Sequence, residues 1–355
     1  MGEHWIVYGE PAAERPTLHP RHGIHDPVAG TPPRRPGSIR RTSTTDSLRP
    51  RGVNGPLVLR GRARDLLTPR SGDAAVLATA SLDAEVAFMS ERIVRSITTD
   101  PPIAGVEALV GTRASSGFRG AAQLAAAADH DERTLLSLLL DDVPVATLVS
   151  GFAVQFAGVR PVSDGRHHVQ HPDLCAGWRT GGTILEEIDR TGFAPVVTGP
   201  DAPSILVSDD PLAWHELAPL GPNAMRRHRR LDLVAGEALG DALELDVFFR
   251  DSHVAFEGRE TIIHEYSVRG TLDPGSLRFV EVEASAGSLP WSECIGAVDS
   301  ARRLVGASAT TLRHDVREGF VGATTCTHLN DTLRSLEDVV ALAPLLATSI
   351  GEQQP

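Results

Sequence analysis

Two stretches of this chain run through the same order of segments, and that repetition limits the fold more than any single motif. Near the start, Arg40-Arg41 precedes the strand-like run Leu57–Asp65 (LVLRGRARD); in the second half, Arg229-Arg230 precedes Leu243–Asp251 (LELDVFFRD). Each run continues with an alternating segment, Val76–Val86 or Thr261–Thr271. Arg92–Thr98 (RIVRSIT) or Arg278–Ala284 (RFVEVEA) comes next, followed by a proline-containing loop. A helix then ends in Leu109-Val110-Gly111 or Leu304-Val305-Gly306, and both units close on a long apolar helix. Strands first and helices second is an α+β order. The expected fold is a tandem pair of related units, each an antiparallel strand meander followed by helices. The expected divisions are an extended Pro/His/Arg-rich arm at 1–39, a first unit at 40–156, a connector at 157–223 and a second unit at 224–350.

Composition narrows the functional classes. A chain of 355 residues has room for two or three cores. A net charge of −12 argues against nucleic acid as a partner. No apolar run in the sequence reaches the roughly 18 residues of a membrane span. The start lacks a basic-then-apolar leader, so the cytoplasm is the expected compartment. All 34 basic residues are arginine. Without lysine there is no Schiff base, hence no pyridoxal phosphate chemistry, and no P-loop nucleotide site. Three cysteines do not make a disulfide framework.

In the second unit, alternation and turn signals place strands at about 228–236, 241–251, 260–271 and 278–285. Asp273-Pro274-Gly275-Ser276 marks a hairpin turn. Helices follow at about 293–306 and 327–347, the second striped by Leu329, Leu333, Leu336, Val339 and Val340. An up-and-down meander brings the ends of alternate strands to one edge. If an extended piece, Thr310–Val316, returns the chain to that edge, Asp251, His253, Cys294, Cys326 and His328 converge there. Both cysteines would stand at helix N-termini, where free N–H groups favour the thiolate. Cys294, Cys326, His328 and Asp251 then make a donor set for zinc or iron.

The same edge suits a second chemistry. Cys326 as nucleophile or Asp251 as base, with His328 or His253 moving the proton, would make a hydrolase of an acyl thioester. Arg226, Arg227, Arg229 and Arg230 would hold the phosphates of a carrier such as coenzyme A; the plainer role for that run is a solvated strand edge pairing with acids. A non-catalytic binding or assembly module is the third reading. His264, Glu265 and Tyr266 read as packing and cross-strand pairs. His19, His22 and His25 in the arm, and His167, His168, His171 and Cys175 in the connector, are further donors whose surroundings speak for loops. The first unit keeps Asp65 where the second has Asp251, but has Arg133-Thr134-Leu135-Leu136 in place of Cys-Thr-His-Leu. It reads as a packing partner or as half of an interface, leaving room for a homo-oligomer or a protein partner there. The expected ligand is a small molecule or a metal.

The strand ending in Asp251 carries a family resemblance. So do Glu283-Ala284 through Pro290 to Cys294, Arg302-Arg303-Leu304-Val305-Gly306, and Cys326-Thr327-His328-Leu329 with Asp331. On these residues the second unit resembles DUF2889, a bacterial domain of unknown function. The family's last motif usually reads Gly-Cys-Thr-His-Leu-x-Glu-Leu; here Thr325 replaces the Gly and Asp331 the Glu. The family often has an acid where Gly287 stands. The arm, the first unit and Cys175-Ala176-Gly177-Trp178-Arg179 look like longer actinobacterial members. A looser likeness is to iron–sulfur cluster scaffolds, whose first cysteine this chain lacks; Asp251 would have to serve instead.

Overall fold

The repeated strand runs meet in one sheet. The computed structural model describes residues 5–7, 18–161, 172–238 and 240–351. Its strands are β1 (Trp5–Val7), β2 (Ser38–Leu48), β3 (Leu57–Thr68), β4 (Ala75–Ala87), β5 (Ile93–Asp100), β6 (Val159–Pro161), β7 (Met225–Val234), β8 (Leu243–Val254), β9 (Glu260–Leu272) and β10 (Phe279–Ser288). β1 and β6 form a separate antiparallel pair. The other eight lie in the order β10-β9-β8-β7-β2-β3-β4-β5, antiparallel throughout. Each half contributes a four-stranded meander, and the two join where β2 pairs with β7. The fold is α+β, as the order of segments implied. Arg40 and Arg41 lie within β2, and Arg229 and Arg230 within β7, so the strand before each Leu-rich run is itself part of the sheet.

Among the described residues, eight α-helices accompany the sheet: α1 (Phe118–Ala125), α2 (Ala127–Glu132), α3 (Leu135–Val149), α4 (Gly151–Phe156), α5 (Thr183–Thr191), α6 (Leu312–Gly319), α7 (Thr327–Ser335) and α8 (Val339–Gly351). Two corrections to the sequence reading concern the second half. The segment Thr310–Val316 is not extended: a 3-10 turn at Ala309–Thr311 leads straight into α6. The long closing helix is broken by a 3-10 turn at Leu336–Asp338. That turn aims two acids inward. Glu337 accepts the Arg313 N–H at 2.8 Å, and Asp338 meets Arg41 and Arg313 at 3.0 Å each. The stripe still does its work, since Leu329, Leu333, Leu336 and Val339 are fully buried. Each such side chain contributes about 1.5–3 kcal/mol by leaving water.

The helices cover one face of the sheet and form two apolar cores, one per half. The run Leu135–Phe156, through α3 and α4, is long and apolar enough to cross a membrane by length and composition. In the fold, α3 lies over β2, β3 and β4. The arm and the connector cover much of the opposite face. Trp214 packs with Ile205 and Phe248, and its Nε1 donates to Thr31 Oγ1 at 2.8 Å. His215 bridges Thr42 and Thr44 of β2 at 2.9 and 3.0 Å. From residue 18 onward the arm is docked rather than free: Asp26 N–H donates to Gly287 O at 2.8 Å. His167, His168 and His171 lie outside the described residues.

Candidate functional site

The antiparallel register of β8 and β9 places Asp251 opposite His264. The register slips by one residue between Asp251 and Ser252, a bulge that re-aims the side chains beside it. α7 starts at the same edge. Cys326 is its N-cap residue in an extended conformation, and Asn330 N–H donates to Cys326 O at 2.8 Å. In the first turn His328 stacks on His264, ring centroids 3.5 Å apart and planes inclined by 18°. His328 Nε2 is 3.9 Å from Asp251 Oδ2, while its Nδ1 faces Cys326 Sγ at 3.9 Å. Asp251, His264 and His328 each offer a ligand atom, and the three atoms lie within 4.8 Å of one another. Among the described residues this is the only such group of three or more.

Burial sets the protonation of these groups. It lowers His328 to about 3, with Arg227 adding to the fall. It lowers His264 well below the usual imidazole range, helped by His328. Both rings are therefore neutral, which is the form that binds metals.

Asp251 is held from behind. Arg227 Nε and Nη2 donate to its two oxygens at 2.9 Å each. Arg227 also meets Asp331 at 2.7 Å and Asp142 at 3.5 Å, and Arg229 meets the same two at 3.0 and 2.8 Å. Arg119 and Arg334 close the network on Asp141 and Asp331. Four guanidinium groups thus face four carboxylates, Asp141, Asp142, Asp251 and Asp331, and the cluster is balanced. The arginines hold Asp331 far below the carboxylate range despite its burial.

The expected site residues divide accordingly. The structure brings Asp251, Cys326 and His328 together and adds His264. Cys294 lies outside the Asp251–His264–His328 group but neighbours Cys326 in the apolar core, where a Cβ on Gly177 would come 3.1 Å from its sulfur. His253, past the bulge, packs between Phe152 and Phe156 with ring centroids 5.1 and 4.7 Å away. The thiolate argument has the right sign and loses on magnitude. The N–H groups of Leu329 and His328 do lower the Cys326 thiol, but burial outweighs them and pushes it up to about 11. Burial also holds Cys294 well above the usual thiol range. Cys175 joins this neighbourhood, with the neighbouring Ala176 N–H donating to Thr325 O at 2.8 Å.

The arginine run faces inward rather than toward solvent. Arg226 pairs with Asp46 at 2.6 Å, and Arg230 with Asp232 and Asp246. With Arg227 and Arg229 in the network above, an anionic carrier on any of the four would have to displace an internal carboxylate. Gly287 has a local reason as well. A Cβ there would lie 2.0 Å from Glu265 Oε1, and that carboxylate accepts the Val28 N–H at 2.7 Å. An acid at 287 could not share this space.

His264 was the residue that sequence reasoning read as packing. Counting back from the turn Ala255–Arg259, an unbroken ladder sets Ile263 across from Asp251. The bulge moves the pairing by one and brings the imidazole in. Nothing in the run of residues 251–264 marks that slip.

No curated protein and no solved structure matches the chain. Residues 225–342, which hold Asp251, His264, Cys294, Cys326 and His328, match the family model DUF2889, described as a protein of unknown function, and this stretch carries the chain's family likeness.

Proposed function

We propose that the second half is a metal-binding unit that holds zinc or iron through Asp251, His264 and His328. The observation behind this reading is the mutual approach of three ligand atoms, two of them on neutral imidazoles, beside a charge-balanced cluster. Two histidines and one carboxylate suit zinc or ferrous iron and leave coordination positions open. A divalent ion adds two positive charges beside Arg227, whose partner Asp251 it must share. The ion is therefore best satisfied by an anionic ligand from outside, a hydroxide or a carboxylate-bearing small molecule. That favours a working site over a purely structural one. The iron–sulfur scaffold likeness calls for thiolate donors, which these three residues are not. We place the protein in the cytoplasm, where its three free, buried thiols stay reduced.

The test is metal analysis of protein prepared anaerobically, followed by titration of the apo form with Zn²⁺ and Fe²⁺. One equivalent of metal, lost in His264→Ala and His328→Ala, supports the reading. No stoichiometric binding of either ion at micromolar concentration ends it.

A second reading rests on the line Cys326 Sγ to His328 Nδ1 and His328 Nε2 to Asp251 Oδ2, both 3.9 Å. That order of groups suits an acyl-thioester hydrolase, but the high thiol pKa weighs against it. Thiol release from acyl-CoA substrates, abolished in Cys326→Ser, would establish it. Metal-free protein without turnover would leave the assembly-module reading.

A further inference from the structure

The two halves treat one buried arginine differently. In the second half, Arg250 of β8 stands opposite Glu265 of β9, and its Nε donates to that carboxylate. Its other nitrogens donate to carbonyls of the arm and the connector, Nη2 to Val28 O and Nη1 to Pro203 O at 2.8 Å. The guanidinium is met on every side and its charge is balanced.

Arg64 of β3 holds the equivalent place in the first half. Each of the two arginines precedes the aspartate at which the register slips, Asp65 or Asp251. Only 7% of Arg64 is exposed. Its Nη2 donates to Leu212 O at 2.6 Å, while its buried Nε has no partner. Among the described residues, no carboxylate is bonded to it. Asp210 acts on it from further off, but Arg34 Nε and Nη2 already hold that acid at 2.9 Å each. Opposite Arg64, where the second half has Glu265, stands Thr79, an exposed residue. Burial pulls the Arg64 guanidinium below its ordinary pKa, and Arg34 and Arg40 add to the fall. A buried charged donor left without an acceptor destabilises the fold, so an acceptor brought from outside is favoured.

Alternate residues of a strand share a face, so Arg60, Arg62 and Arg64 form a column along β3. Asp83 serves both Arg60 and Arg62, at 3.3 and 3.2 Å, and these three side chains are open to solvent. Glu85, two residues further along β4, is taken by Arg51 at 2.8 Å. The column thus sets three positive charges against one negative, in a chain whose net charge is −12.

We propose that Arg64, with Arg62 beside it, binds the carboxylate of a small molecule in the role that Glu265 fills for Arg250. A planar carboxylate can accept from Nε and one Nη together, as Asp65 does from Arg41 and Asp251 from Arg227. Successive residues of a strand point to opposite faces, so this site lies on the other side of the sheet from Asp65 and does not depend on the metal reading.

The experiment is isothermal titration calorimetry on the full chain with acetate, succinate and inorganic phosphate at constant ionic strength. The expected result is saturable binding of a carboxylate by the wild type. Arg64→Leu and Thr79→Glu should each weaken it about ten-fold or more, the loss that follows when one charge-assisted pair is removed. Thr79→Glu should also melt at a higher temperature than the wild type without ligand, because its own carboxylate fills the gap. If Arg64→Leu does not fold, Thr79→Glu, at an exposed position, carries the test. No saturable binding of either carboxylate up to ~10 mM overturns the proposal. So does an affinity that either variant leaves unchanged, which places the anion on arginines elsewhere. Binding of phosphate without binding of acetate or succinate overturns it as well.

Discussion

The halves share a framework and differ in what is built on it. In the first, Arg41 Nε and Nη2 donate to Asp65 at 2.8 and 2.7 Å; in the second, Arg227 does the same to Asp251 at 2.9 Å. In both, the register slips just after the aspartate. The helical acids are exchanged across the middle: Asp338 of the second half reaches Arg41, and Asp142 of the first reaches Arg227. Opposite the aspartate, however, stands Ala78 in one half and His264 in the other. The helix start brings no imidazole in the first half and His328 in the second. The Arg–Asp pair is therefore architecture common to both, and the chemistry depends on two side chains placed against it.

The sharpest way to break this comparison is to remove the arginines. Arg227→Leu and Arg41→Leu each strand buried carboxylates, a change that costs on the order of 3–5 kcal/mol. Arg227 serves three carboxylates and Arg41 two, so urea denaturation should show the larger loss for Arg227→Leu. Equal, small losses in both would mean the pairs are not the framework. The next test concerns the imidazoles. His264→Ala or His328→Ala should lower zinc affinity by about 100-fold or more, since each removes a whole ligand where losing a mere supporting contact costs 10–100-fold. Ala78→His should leave the stoichiometry at one, because its half has no second ring to join it.

A smaller effect is expected from pH. Burial lowers His215 to about 3, His253 to about 4, and His228 well below its usual range. Above pH ~6.5 these rings are neutral folded or unfolded, and their contribution is fully present. Below that pH the unfolded chain takes up protons that the folded chain refuses, so stability falls toward pH 4. Each ring adds a slope of up to about 1.4 kcal/mol per pH unit. His253→Phe should flatten the urea-midpoint profile between pH 4 and 6.5 by one proton's worth, and an unchanged slope would show that His253 charges in the fold. The smallest effect concerns the thiols. With Cys326 pushed up to about 11, modification by a thiol reagent at pH 7 should track unfolding rather than time in the folded state. Rapid labelling of folded protein would restore the nucleophile reading.

Much of the architecture was legible because period-2 alternation survives wherever one sheet face is buried. β9 and β10 lie within about three residues of the segments read from alternation. The joining of the halves was not legible, since β2 is the polar run SIRRTSTTDSL, buried by partners that come from other parts of the chain. Arg226–Arg230 misled for a related reason. A basic run reads as solvent-exposed until its acids, Asp46, Asp142, Asp232, Asp246, Asp251 and Asp331, are seen to arrive from β2, α3, β8, α7 and β7 itself. The meeting of Asp251, Cys326 and His328 was expected, but through an extended return over Thr310–Val316 that is in fact a 3-10 turn and α6. His264 was not expected there, because a one-residue slip has no local signature.

The pairing of β2 with β7 also has a consequence for synthesis. Ser43 sits beside Arg229 in the finished sheet, yet the ribosome delivers Ser43 long before Arg229 exists. During that interval the nascent first half presents β2 as an open edge, and Arg41 lacks the carboxylate that Asp338 later supplies. The sheet is completed only when the second meander emerges, and Arg41 gains its second partner only when the turn before α8 is made. Such long-range closure is slow and leaves the growing chain open to wrong strand partners. Holding that edge unpaired until β7 arrives is the step at which a chaperone would matter most.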